Sequence, residues 1–182
     1  MSKKMGLLKP IAPIALGFAL QGCASTEPVK FSYSSEFALT VPESQISGAT
    51  VFSADGLALK TSDGQLIAGK VISNGSEGLP DDFNILEYPK LILGLDSPQA
   101  LDEATARQFE NSTNEIQRTY GDGEAIQETV GTFTIYGVCG DVGCLSFVTK
   151  ANFEDHILTV HGTGISKEEF TSLIKGGLHA DR

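Results

Sequence analysis

Cations are scarce in this sequence. Its 182 residues hold 13 lysines and arginines against 23 acids, for a formal charge of −10 at pH 7. Lys3, Lys4 and Lys9 stand in residues 1–22, where there is no acid, so the remainder carries 10 basic and 23 acidic residues, a net of −13. A surface of that sign repels nucleic acid and anionic lipid headgroups, and excludes both as direct partners of the domain. It keeps a protein soluble and suits a basic partner. Histidine is equally sparse, with only His156, His161 and His179. His156 and His161 are an odd number of residues apart, which sends them to opposite faces of a strand and excludes a shared metal site. The three cysteines, Cys23, Cys139 and Cys144, are too few for a zinc centre. The apolar stretch from Pro10 to Gly22 is too short to span a bilayer. There is no internal repeat and no low-complexity tract. No Ser, His and Asp set follows a recognisable motif, so no catalytic residue, metal or cofactor is assigned.

What is present is a chain of ordinary globular composition, 41% hydrophobic and 20% charged, long enough for one domain with a core. Glu36 to Val41 alternates apolar and polar residues and stops at Pro42, which predicts a strand. Ala49 to Ser53, Leu57 to Thr61 and Gln65 to Ser73 follow as a meander whose turns are Asp55-Gly56 and Asp63-Gly64. Asn74 to Pro89 reads as a long loop, and Lys90 to Leu95 as a short strand. Asp96 or Ser97 then caps a helix with Pro98 in its first turn. Leu101, Thr105, Phe109, Ser112, Ile116 and Tyr120 share one face of it, Asp102 and Glu103 complement its dipole, and Gly121 and Gly123 end it. Ile126 to Val138, Leu145 to Lys150 and His156 to His161 are strands. Gly162-Thr163-Gly164 reads as a plain turn into a last helix, with Ser166 and Glu169 as a capping box and Phe170, Leu173 and Ile174 buried; His179 falls in a frayed tail. Antiparallel strands with segregated helices make an α+β sandwich: a sheet packed with one long helix and one short C-terminal helix.

The leader has its own logic. Lys3 and Lys4 form a positive n-region and Ile11 to Leu20 an apolar h-region, as in a signal peptide. Leu20-Gln21-Gly22-Cys23 then resembles the bacterial lipobox. That resemblance implies cleavage before Cys23 and acylation of its thiol and amine, each buried methylene contributing about 0.8 kcal/mol of membrane affinity. Ala24 stands where an aspartate would resemble an inner-membrane retention signal, so the expected place is the outer membrane of a Gram-negative cell, facing the periplasm. The expected organisation is a signal peptide over 1–22, a lipidated tether over 23–35 and a single α+β domain over 36–182. Phe37-Ala38-Leu39-Thr40-Val41-Pro42 also resembles the apolar strand then proline that opens the Mog1/PsbP-like group, and Leu158 to Ile174 is similar to its closing strand, loop and helix. The resemblance implies a PsbP-like sandwich and an accessory, assembly or protein-binding role. It transfers no catalytic residue.

Cys139-Gly140-Asp141-Val142-Gly143-Cys144 lies between two apolar-rich, β-branched runs, which predicts a hairpin with a cysteine at each shoulder. A hairpin centred between Asp141 and Val142 sets the cysteines opposite each other, close enough for a disulfide in an oxidising compartment. Redox motifs usually place two residues between their cysteines, whereas this spacing has four. Asp141 and Val142, at the tip, are the candidate partner contacts. The expected function is a lipid-anchored, non-enzymatic protein binder. A periplasmic inhibitor or immunity protein is the narrower alternative, and a hydrolase built from scattered acids and His161 the alternative from another class.

Overall fold

The computed structural model describes residues 27–54, 56–121 and 123–180. Cys23 with its lipobox, and Asp55 of the first predicted turn, lie outside them. The chain runs β1 (Val29–Ser32), β2 (Ala38–Val41), α1 (Glu43–Ile46), β3 (Thr50–Ala54), β4 (Gly56–Lys60), β5 (Leu66–Ser73), α2 (Asn74–Glu77) and α3 (Tyr88–Ile92). It continues through the long helix α4 (Glu103–Tyr120) to β6 (Ile126–Val130), β7 (Phe133–Gly140), β8 (Gly143–Lys150), β9 (His156–Thr163), α5 (Lys167–Gly177) and β10 (Leu178–His179). The fold is α+β, with antiparallel sheets and few helices. Seven strands form one sheet in the order β3-β4-β5-β9-β8-β7-β6, and β1-β2-β10 form a second, smaller one.

Three layers result, because the large sheet buries both faces over its middle. On one face Phe37, just before β2, with Leu39 and Val41 of the small sheet and Phe170, Leu173 and Ile174 of α5, packs on Phe133, Ile135, Val148, Leu158 and Val160. On the other, Ile85, Tyr88, Leu91, Ile92 and Phe109 pack on Ile72, Tyr136, Val138, Leu145, Phe147 and Ile157. A strand covered on both sides needs apolar residues at nearly every position. β8 is buried from Gly143 to Thr149 for that reason.

The helices with complete end signals form where those signals stand. Ser166 accepts from the Glu169 N–H while the Glu169 carboxylate receives the Ser166 N–H, and Phe170, Leu173 and Ile174 are buried as expected. The long helix opens later than its proline suggested. Ser97 caps only a 3-10 turn at Pro98–Ala100, and Asp102 is the cap of α4, accepting from the N–H groups of Ala104 and Thr105 at 3.1 Å each.

Elsewhere the structure corrects the expectations. Lys90 to Leu95 is no strand. Tyr88–Ile92 is the helix α3, begun by Pro89, and its apolar run was too short to show a period. The long loop before it contains α2, and the Asn74 amide closes that segment by donating to the carbonyls of Asp81 (3.3 Å) and Phe83 (2.6 Å). Ile126 to Val138 is two strands, folded back at Gly131-Thr132, where Gly131 takes φ +60°. Val29–Ser32, inside the expected tether, is β1, paired with β2 from Val29↔Val41 to Ser32↔Ala38. His179 is not frayed. It stands in β10 opposite Ala38 and bonds the Thr40 hydroxyl at 3.2 Å.

Candidate functional site

β7 and β8 pair as the sequence predicted, with Cys139 opposite Cys144, Gly140 opposite Gly143, and Asp141-Val142 as a two-residue tip. The cysteine sulfurs lie at bonding distance, 2.02 Å. So short a loop constrains the unfolded chain little, and the cross-link stabilises the fold by about 2 kcal/mol at most. Asp141 and Val142 are both exposed, and Val142 keeps 54% of its surface in solvent.

The glycines hold the tip in place. A Cβ on Gly140 would lie 1.8 Å from the carbonyl oxygen of Tyr120, and one on Gly143 would lie 2.1 Å from that of Gly162. A Cβ on Gly123 would meet the Cys139 carbonyl at 2.4 Å. Backbone thus touches backbone on both sides of the hairpin. Gly164, at φ +72°, extends the cluster to Gln65 and the Gly64 turn. The end of α4, the tip, the β9–α5 turn and the β4–β5 turn therefore form one continuous surface at one end of the large sheet. Spacing could identify the tip. The segments gathered round it come from three distant stretches of chain and leave no local signal.

A second feature escaped the sequence reading. α3 and α4 cover the middle of the large sheet but not β3 and β4. Phe52, Ala58, Ala68 and His161 stand in register across four strands, so two small residues floor a trough between a half-exposed phenylalanine and a histidine. His161 Nδ1 lies 3.2 Å from the Tyr120 hydroxyl and Nε2 3.5 Å from that of Thr159. The His161 side chain is exposed, and partial desolvation by its neighbours first, with Lys70 second, pushes its pKa below the usual imidazole value.

His156 points to the opposite face, as the odd spacing required. Its Nε2 lies 3.2 Å from Glu36, its Nδ1 2.7 Å from Asp155, and Phe37 meets its ring edge-on at 5.7 Å. His161, the residue on which a hydrolase would turn, faces hydroxyl groups, while the two carboxylates gather on His156. Ser166 is occupied as a helix cap.

No family model matches the chain, and no curated protein matches it. Among solved structures, the solution structure of cyanobacterial PsbP (CyanoP) from Synechocystis sp. PCC 6803 is similar, at 12% sequence identity and a TM-score of 0.47. The match covers 87% of this chain and 95% of that one. A likeness of that degree says nothing of function.

Proposed function

We propose that the chain is a lipid-anchored accessory domain, held by Cys23 at the periplasmic face of the outer membrane, that binds a protein partner through the Asp141-Val142 tip and the loops beside it. One observation carries this reading. An exposed valine and an exposed acid are displayed on a tip held by a cysteine cross-link and by backbone packing against Tyr120 and Gly162. A tip held rigid before contact loses little conformational freedom on binding, so more of the contact energy appears as affinity. The acidic balance of the chain favours a basic surface on the partner.

A photo-crosslinker at position 142, in the lipidated protein in its own envelope, identifies the partner. Replacing Asp141 and Val142 together by alanine is then expected to weaken binding of that partner tenfold or more. Stability should change by no more than about 0.5 kcal/mol, as for other exposed positions. Unchanged affinity at unchanged stability would leave the tip a purely structural role.

A further inference from the structure

The large sheet ends in two edges of different character. β6, Ile126-Gln127-Glu128-Thr129-Val130, carries an acid at its centre, ion-paired with Lys175. β3, Thr50-Val51-Phe52-Ser53-Ala54, has neither an ionisable side chain nor a proline. Its large apolar side chains alternate between the two faces of the sheet and stay in solvent, Val51 at 53% and Phe52 at 50% exposure. An edge strand turns alternate N–H and C=O groups outward, and charge, proline or a bulge normally blocks further pairing there. β3 lacks the first two of these devices.

We infer that β3 pairs antiparallel with β3 of a second copy of this chain, about a twofold axis through Phe52. This operation sets Phe52 opposite the second copy's Phe52, Val51 opposite its Ser53 and Thr50 opposite its Ala54. Apolar or small groups meet at every position, and none of the five paired residues is charged. The same operation at β6 would set Glu128 against Glu128, like charges directly opposed, which destabilises a strand pair. In a chain with 23 acids and 13 cations, β3 is the edge of this sheet whose paired residues bring no acids into contact between two copies.

The rows behind the seam fit the same symmetry. Phe52 is in register with Ala58, Ala68 and His161 in turn, so joining two sheets makes one trough with paired phenylalanines at its middle. Each end is closed by a His161–Tyr120 pair. The nearby cations also avoid each other. Lys60 is in register with Thr50, and Lys70 lies beside Gly56 at the other end of β3. Across the seam, one copy's Lys60 is four strand spacings from the other's Lys70, roughly 19 Å at 4.8 Å per strand and well beyond the screening length in physiological salt. The seam is also four strands from β8, so the Asp141-Val142 tip stays open on each copy and the two assignments can fail separately.

Sedimentation of the full chain in mild detergent, over a wide range of concentration, reads the number of copies. The expected result is two. Phe52→Lys places two cations at the axis and should return the mass to one copy with an unchanged circular dichroism spectrum. Under oxidation, Phe52→Cys should give a cross-linked dimer, with the bond mapped by mass spectrometry to position 52 of both chains. Val51→Cys should cross-link only when mixed with Ser53→Cys, because position 51 of one copy faces 53 of the other. A chain that stays a single copy at every concentration overturns the inference. So does a dimer that survives Phe52→Lys, fails to link through Phe52→Cys, or links Val51→Cys to itself.

Discussion

A methyl group on Gly140 would come within 1.8 Å of the Tyr120 carbonyl oxygen, and that neighbour is backbone, which has little room to move. Gly140→Ala is therefore expected to lower stability by about 1–3 kcal/mol, the usual cost of overpacking. Urea denaturation reads this directly, and a midpoint equal to that of the parent chain would mean the tip and the end of α4 are not in contact. His161 makes a second prediction at the same scale. Partial desolvation and Lys70 disfavour its charged form, so its folded-state pKa lies below its unfolded value of about 6.5. The unfolded chain then binds the proton first, and His161 contributes stability that is present above that value and lost as pH falls through the folded pKa. The imidazole resonances of His161 should titrate below about pH 6.5, and His161→Gln should flatten that part of the acid stability profile. A titration at or above the ordinary value would mean that neither Lys70 nor packing against Tyr120 and Thr159 acts on the imidazole.

α5 is the element whose end signal and buried face agree most closely. Ser166→Ala removes one half of a reciprocal cap and is expected to cost about 1 kcal/mol. The loss should appear as a lower urea midpoint with an unchanged slope, and no shift would mean that packing of Phe170, Leu173 and Ile174 alone holds the helix. Elements of this kind were legible in the sequence, because period and cap lie within a dozen residues of one another. The β7–β8 hairpin was legible for a similar reason, its two cysteines marking the register. Two elements were not. The five residues Tyr88–Ile92 are too brief for a helical period to emerge, and Ile126–Val130, though read as strand, ran on into the strand after it. The Gly131-Thr132 turn has neither the Asn-Gly nor the Asp-Gly pair that marks a tight hairpin.

For the whole molecule the decisive expectation is the anchor. Cys23→Ala should move the protein from the membrane fraction to the soluble periplasm and abolish the mass of the acylated form, because the acyl chains are the only membrane-binding element proposed for the mature chain. Retention at the membrane like the parent would end the lipobox reading. The sequence by itself determined the α+β class, the charge of the surface, the caps of α5, the Cys139–Cys144 register and the opposite facing of His156 and His161. Each of these depends on residues close together in the chain or on composition, where local geometry has few alternatives. Only the tertiary structure decided that β1 and β10 flank β2, that the glycines of the tip clamp it against Tyr120 and Gly162, and that β3 is left as an uncharged edge. Those features depend on which distant segments meet. Burial of apolar faces, common to the whole chain, sets that choice and no local pattern specifies it.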